Sequence, residues 1–387
     1  MNIPGKSICA ALLFCLVWLF AAGCGGGKRA GDFLETGKVK FKLGDLNGAI
    51  ADLSRAIDLD SNLTAAYEFR GLAKQKKGDL GRAYMDFDVV IAHNPKQATA
   101  YIERGNVENQ AGNLDAAAAD FDRAIALAPT NADAYFGLGV VKFNQKNWDG
   151  AISNYTRAIQ LNPRDASAYG YRGFTKDNQG DLNGALADFD QVVQLDPNNP
   201  TAYENRGFVK LKSADYTGAV ADFTRAIELG PKDAVAYYNR GAARYKQGDL
   251  DGAIADFNQA LQLDPANAPA YNGRGWMKYR KNDLDGAIAD ASQAIRLDPA
   301  HPSGYGTRAW ARYVKGDVAG ATEDCKKAVE LFKSDATFGP YNQGLLDFIG
   351  GDYEKAVSSW DKAIQKDAGL KQELQPWIDK AKAKLNK

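Results

Sequence analysis

The chain has few of the residues from which catalytic and metal sites are built. Its 387 residues include two histidines, His93 and His301, which lie in distant parts of the sequence. Phosphate-binding glycine loops, His-x-x-x-His pairs and Gly-x-Ser-x-Gly turns do not occur in it. We therefore predict no catalytic residue, no metal site and no cofactor.

Excess charge of either sign is also missing, since 48 basic residues balance 48 acidic ones. A nucleic-acid-binding protein would carry a basic face or tail, so we predict no nucleic-acid partner. Of the four cysteines, Cys9, Cys15 and Cys24 lie near the N-terminus, and only Cys325 remains beyond it. This distribution excludes a disulfide framework and predicts a buried apolar thiol at Cys325.

The only long apolar run is at the N-terminus. Lys6 precedes the run at 8–22, and Ala-Ala-Gly then leads into Cys24. A charged head, a short apolar stretch and small residues before a cleavage point are typical of a secretory signal. Residues 1–23 are thus predicted to be a signal peptide, and 24–29 a glycine-rich tether. The run is short for a membrane span, although an uncleaved membrane helix is the alternative.

The Ala-Gly-Cys ending of this segment resembles the signal of a bacterial lipoprotein. That resemblance implies cleavage before Cys24, acylation of Cys24 with palmitate-type chains, and a lipid anchor in a membrane. Gly25 follows the cysteine, and in the usual sorting pattern this residue implies the outer membrane, with the protein facing the periplasm.

Glycine and proline, by contrast, recur with a period of 34 residues. A fixed period of this length indicates a stack of similar supersecondary units. The glycines are Gly71, Gly105, Gly139, Gly173, Gly207, Gly241 and Gly275, and the prolines are Pro95, Pro129, Pro163, Pro197, Pro231, Pro265 and Pro299.

Each unit is predicted to be two helices joined by a turn. In the copy that begins at Tyr237, small and aromatic residues at helical spacing are interrupted by Gly248-Asp249. Glycine accepts a left-handed helix end, and aspartate can cap the helix that follows. The second helix continues to Leu263, and Pro265 ends it.

The pattern Tyr-x-x-Arg-Gly, Gly-Asp-Leu, Ala-Ile, Asp-Phe and Leu-x-Pro resembles the tetratricopeptide repeat family. The resemblance implies an all-α fold, a right-handed superhelical solenoid of about ten helix-turn-helix repeats over 30–370. The first copy and the last are imperfect. Residues 371–387 are predicted to form a polar capping helix, because the last repeat would otherwise expose its apolar face.

Arginine in the first helix of a repeat and aspartate in the second occur together. The repeat that lacks the arginine has Leu138, and it also lacks the aspartate, with Asn154 in its place. A buried charge requires its partner, so we predict structural ion pairs rather than ligand sites.

In the family, the first helix of each repeat lines a concave groove. The tyrosine and glycine positions of these helices are expected to pack inward, which leaves one exposed stripe. From the fourth repeat onward this stripe is apolar and largely aromatic, and such a patch is typical of a binding site. The alternative is that these rings pack between helices. The candidate groove residues are Phe136, Val140, Phe143, Phe174, Phe208, Leu211, Tyr238, Tyr245, Trp276, Tyr279, Trp310 and Tyr313.

A basic row, Lys142, Lys176, Lys210, Arg244, Lys278 and Arg312, is expected to flank this stripe. Some relatives clamp a peptide carboxylate with lysine and asparagine. The corresponding slots here hold Phe136, Val140, Tyr238 and Ala242, so that clamp is not expected.

These observations predict a non-enzymatic scaffold of the bacterial envelope that binds an extended peptide or a helix of a partner protein. One alternative is glycan binding within an exopolysaccharide or cell-wall system, because aromatic faces stack on sugars. In that case acidic neighbours are expected, and Asp177 and Glu204 are the nearest. A second alternative is an assembly factor for an envelope machine.

Overall fold

The computed structural model describes residues 29–386, and every regular element in this range is helical. The predicted signal segment and Cys24 lie outside the described residues. The helices are α1 (Ala30–Lys42), α2 (Leu46–Leu59), α3 (Thr64–Lys76), α4 (Leu80–His93), α5 (Ala98–Ala111), α6 (Leu114–Leu127), α7 (Ala132–Asn144), α8 (Trp148–Leu161), α9 (Ala166–Gln179), α10 (Leu182–Leu195), α11 (Pro200–Lys212), α12 (Tyr216–Leu229), α13 (Ala234–Gln247), α14 (Leu250–Leu263), α15 (Ala268–Arg280), α16 (Leu284–Leu297), α17 (Pro302–Lys315), α18 (Val318–Leu331), α19 (Phe338–Ile349), α20 (Tyr353–Lys366) and α21 (Lys371–Leu385).

Helices α1–α20 form ten helical hairpins, so the predicted all-α, helix-turn-helix fold class is confirmed. We call the odd-numbered helices up to α19 the A helices and the even-numbered helices up to α20 the B helices. The hairpins group into two compact units, α1–α8 and α9–α21, and within each unit consecutive hairpins stack. A short 3-10 turn, Ala368–Leu370, precedes α21. Among the described helices, none is both long and apolar enough to span a bilayer.

The turn inside each hairpin is formed as the sequence predicts. Gly248 ends α13 with φ of 86°, and the Asp249 carboxylate accepts the Gly252 N–H at 2.9 Å. The same left-handed conformation is imposed on Lys146, Ala214 and Asn282, where other repeats have glycine. A non-glycine residue in this conformation costs about 1–2 kcal/mol, so tertiary packing stabilises the turn even without the favoured residue.

Contact between the A and B helices of a hairpin depends on the periodic glycine. A Cβ added at Gly241 would lie 3.1 Å from the buried ring of Phe257, and one at Gly139 would lie 2.6 Å from Tyr155. In the ninth hairpin the aromatic slot holds Cys325, which is fully buried, and burial raises the pKa of its thiol to about 12. The prediction of a buried thiol is confirmed.

In most hairpins, a buried aspartate of the B helix forms an ion pair with the A helix, at the contact between the two helices that we call the A–B seam. In the seventh, Arg240 donates to both Asp256 oxygens, through Nε at 3.0 Å and Nη2 at 2.7 Å. The predicted structural ion pairs are therefore confirmed. The pairs are Arg70–Asp86, Arg104–Asp120, Arg172–Asp188, Arg206–Asp222, Arg240–Asp256, Arg274–Asp290 and Arg308–Asp324.

A second cation, four residues after the arginine, bonds the same aspartate in most hairpins. Arg244 Nη1, for example, lies 2.8 Å from Asp256 Oδ2. Lys176, Lys210, Lys278 and Arg312 bond their own hairpins' aspartates in the same way. The expectation of a basic rim beside the groove is therefore wrong for these side chains, because their charges are held at the seam. Lys142 lies in the hairpin with Asn154, and its Nζ is 3.5 Å from Gln145 Oε1.

Candidate functional site

The candidate groove residues lie on the A helices, as predicted, but they differ widely in exposure. In the first unit, Phe136, Val140 and Phe143 are partly buried. The Phe136 ring centre lies 5.8 Å from that of Tyr155, and Phe143 makes an edge contact with Trp148 at 5.2 Å. These residues pack within their own hairpin more than they present an open surface.

In the second unit, Phe174 and Phe208 are the most open of the candidates. Their side chains are 42% and 44% exposed, and they occupy the same slot of two neighbouring A helices, α9 and α11. Leu211, one turn after Phe208, is partly buried against the core around Phe223. The stripe is therefore accessible at its start in this unit and becomes more enclosed along the chain.

The later aromatic residues form one packed cluster. Trp276 and Tyr279 have ring centres 5.0 Å apart, and Trp276 Nε1 donates to the Tyr245 hydroxyl at 3.3 Å. Trp310 is only 1% exposed, and its Nε1 has no hydrogen-bond partner among the described residues. The expectation that Trp310 faces an open groove is therefore wrong.

The C-terminal helix α21 and the last hairpin together bury Trp310. In α21, the Trp377 ring centre lies 5.3 Å from Trp310 and 5.8 Å from Tyr313. At the first turn of α21, Glu373 accepts a hydrogen bond from Tyr341 and pairs with Arg280 at 3.2 Å. The helix thus contacts A helices α15, α17 and α19, and it covers the end of the predicted groove.

The character of α21 differs from the prediction. Leu374, Ile378 and Ala381 follow an i, i+4, i+7 spacing, and all three are buried in a cluster with Tyr341 and Trp360. The helix is amphipathic rather than polar. Its apolar side packs on the last hairpins and shields them from solvent.

A cleft of about 370 Å³ lies where α21 and the 3-10 turn meet the A helices. A volume of this size is at the lower end of the range of about 300–1,000 Å³ that is usual for ligand pockets. Most of its wall is apolar. The aromatic rings in it belong to Tyr238, Tyr245, Phe257, Trp276, Phe332, Phe338 and Tyr341.

Polar groups are placed at a few points of this wall. Thr307 Oγ1 donates to Asn272 Oδ1 at 2.8 Å, and Asn342 Nδ2 donates to the Phe338 carbonyl at 2.8 Å. Asn342 is 1% exposed, and its Oδ1 has no donor among residues 29–386. A Cβ at Gly306 would lie 2.8 Å from that oxygen, so the missing side chain at Gly306 is what lets the Asn342 amide pack there.

Electrostatics at the cleft follow from burial. Burial raises the pKa of Glu373 above its usual value, although Tyr341 and Arg280 oppose the shift. Burial and the nearby Glu373 raise the pKa of Tyr341 well above 10, so its hydroxyl remains a donor. Asp367, at the start of the 3-10 turn, accepts the Gly369 N–H at 2.9 Å.

The acids near the exposed part of the stripe are already engaged. Asp177 lies 2.8 Å from Lys212 Nζ. Burial, with a contribution from Asp233, raises the pKa of Glu204 to about 7. These contacts leave the two acids less suited to binding sugar hydroxyl groups.

Sequence reasoning missed Thr307, Asn342 and Glu373. Their slots vary from repeat to repeat, so the 34-residue pattern gives no signal for them. Arg280 and Glu373 are 93 positions apart in the chain, and only the fold brings them together. For Glu373, the sequence offered one indication, because within 371–387 an acidic residue precedes apolar residues at helical spacing.

The fold defines a class of protein built from stacked helical hairpins, here with an aromatic stripe on the A helices. Family models agree. "TPR repeat" matches residues 37–78, "Tetratricopeptide repeat" matches 272–336, and "ETO1 C-terminal domain", which is of the same repeat type, matches 94–274. The chain belongs to the tetratricopeptide repeat family.

Solved structures of this repeat type are similar to the chain over different lengths. YrrB, described as a TPR protein with an unusual peptide-binding site, is 23% identical, with 48% of this chain and 95% of YrrB covered and a TM-score of 0.43. PilF from Pseudomonas aeruginosa is 23% identical, with coverages of 55% and 96% and a TM-score of 0.48. Tom70 from yeast is 16% identical, with coverages of 93% and 90% and a TM-score of 0.45. The comparison with curated proteins gave no match.

Proposed function

We propose that this protein is a non-enzymatic interaction scaffold of the bacterial cell envelope, which binds an extended peptide or a helix of a partner protein on the A-helix face of its second unit. The observation that carries the proposal is the row of aromatic side chains on consecutive A helices. It begins with the exposed rings of Phe174 and Phe208, and Tyr238 and Trp276 of the same row line the cleft. Exposed aromatic residues dominate the binding energy of many protein interfaces.

The glycan alternative receives less support from the contacts of the nearby acids. Asp177 is paired with Lys212, and Glu204 has a raised pKa beside Asp233, so neither is an unengaged carboxylate next to the exposed rings. A peptide requires only apolar anchors and main-chain hydrogen bonding, which this surface can accommodate.

The binding proposal is tested with paired alanine variants. We expect Phe174→Ala/Phe208→Ala to reduce capture of a partner from envelope extract by about tenfold or more, because anchor side chains of this type contribute about 2 kcal/mol or more each. Folding should be unchanged, since both rings are exposed. Captured proteins and glycans are quantified by mass spectrometry against the wild-type bait.

The matched control is Met85→Ala/Val235→Ala, which removes two exposed apolar side chains outside the predicted stripe. It should capture the same partner as the wild type. Equal loss in both double variants would mean that capture is nonspecific, and glycan enrichment in place of a protein would favour the alternative.

The envelope part of the proposal depends on the N-terminal segment. We expect Cys24→Ala to release the protein from the membrane fraction and to abolish labelling by radioactive palmitate, because acyl chains on that cysteine would supply the anchor. Fractionation and autoradiography measure both effects. Cys325→Ala serves as the control and should retain the label, since that thiol is buried. An alanine variant of Cys24 that stays labelled would contradict the anchor.

A further inference from the structure

The residues that line the cleft beside α21 indicate which kind of ligand it can bind. It combines aromatic walls with two carboxylates, Asp367 and Glu373, on the side formed by the C-terminal segment. Aromatic ring faces carry negative electrostatic potential, and cations are held over them in many binding sites. The carboxylate of Asp367 adds attraction for a cation, whereas the charge of Glu373 is balanced by Arg280.

We propose that this cleft binds an alkylammonium group, in the form of a lysine side chain of the peptide partner. The inference deepens the proposed function and rests on it. A lysine has an apolar stem that packs on rings such as Tyr238 and Trp276, and its ammonium group supplies three hydrogen-bond donors.

Asn342 points to a ligand that donates hydrogen bonds. Its Nδ2 is used by the Phe338 carbonyl, whereas its buried Oδ1 has no donor. A buried acceptor without a partner is unfavourable, and an apolar ligand would leave it so. Asn342 lines the cleft, and a small shift of its amide would let a bound ammonium group donate to this oxygen. An acidic ligand would meet the carboxylate of Asp367 and be repelled.

The cations already near the cleft are consistent with this assignment. Arg280 pairs with Glu373 Oε2 but does not line the cleft, so its positive charge lies outside the cleft interior. Lys246 is exposed at the rim, with Nζ 5.8 Å from the Tyr245 ring centre. A ligand cation would compete with Lys246 for the same ring and the same carboxylates.

Two variants of the full chain should therefore change binding in opposite directions. Asp367→Asn keeps an oxygen that can accept the Gly369 N–H but removes the charge, and we expect it to weaken binding of a cation severalfold. Lys246→Met keeps the apolar stem but removes the competing charge, and we expect it to strengthen binding severalfold. Neither change should alter the affinity for a neutral ligand that has the same apolar stem but no ammonium group.

The experiment uses Nα-acetyl-lysine-N-methylamide and its norleucine counterpart as probes, with binding measured by titration calorimetry at low salt. Circular dichroism checks the folding of each variant. We expect the lysine derivative to bind at least about tenfold more tightly than the norleucine derivative, with the difference reduced in Asp367→Asn and enlarged in Lys246→Met. Added salt should reduce it, because the attraction is electrostatic.

Equal affinity for both derivatives, or no binding of the lysine derivative at 20 mM, would overturn the proposal. If butylamine bound as tightly as the lysine derivative, the ammonium site would be retained but its assignment to a peptide would be overturned. Failure here is distinguishable from failure of the proposed function, since capture by the Phe174 and Phe208 surface is measured independently and does not require charge selectivity in the cleft.

Discussion

Replacing Asp256 by alanine is expected to lower the free energy of unfolding by about 3–5 kcal/mol, the range observed when one partner of a buried ion pair is removed. Asp256 is buried and accepts hydrogen bonds from Arg240 and Arg244. Without it, the guanidinium group of Arg240 remains at the A–B seam with no carboxylate. Urea denaturation gives the total effect, and hydrogen exchange should place it in α13 and α14.

The chain itself supplies the control for this experiment. In the fourth hairpin, Leu138 and Asn154 replace the pair, and Asn154 Nδ2 instead donates to the Gly150 carbonyl at 2.8 Å. The double variant Arg240→Leu/Asp256→Asn reproduces that arrangement. It should stay within about 1–2 kcal/mol of the wild type, because removing both charges of a buried pair is tolerated far better than removing one. Arg244 also loses its bond to Asp256, but it is partly exposed and keeps Asp249 at 3.9 Å. Equal losses for the single and double variants would show that the pair is not energetically coupled.

Replacing Leu374 by alanine is expected to destabilise the end of the second unit by about 2–5 kcal/mol, the usual cost of truncating a buried leucine. Leu374 is fully buried in the cluster that includes Trp310, Leu345 and Trp360. Removing its side chain leaves a cavity between α21 and the last hairpin. Nearest-neighbour coupling dominates in stacked repeats, so the loss should be local.

Hydrogen exchange with mass spectrometry checks this locality. Protection should fall in α19, α20 and α21 and remain unchanged in α1–α8. The control is Leu385→Ala on the same helix, where the side chain is 45% exposed and the expected effect is below about 0.5 kcal/mol. A uniform loss of protection along the chain would contradict the local role assigned to α21.

The predictable part of this protein is the part that repeats. Tyr237, Gly241 and Phe257 recur with one period, and their roles in packing follow from spacing within a single hairpin. The Arg240–Asp256 pair was also predictable, because its two members lie 16 positions apart in seven copies and are both replaced in the fourth.

The candidate site was predicted only in part. Placing the aromatic stripe on the A helices was correct, and Phe174 and Phe208 are exposed. The expected openness of Trp310 was wrong, because residues 371–385 fold back over it. The expected basic rim was wrong for five of its six members, since the seam aspartates bind those cations.

The sequence by itself determined the all-α repeat architecture, the turn positions and the seam ion pairs, because each depends on contacts within about 34 residues that most copies repeat. Tertiary structure alone decided which aromatic residues are accessible and that a cleft exists. The groups that form the cleft, such as Tyr238, Asn342 and Glu373, come from separate hairpins and the C-terminal helix. No periodic signal links positions that meet only once, so folding of the second unit was needed to bring them together.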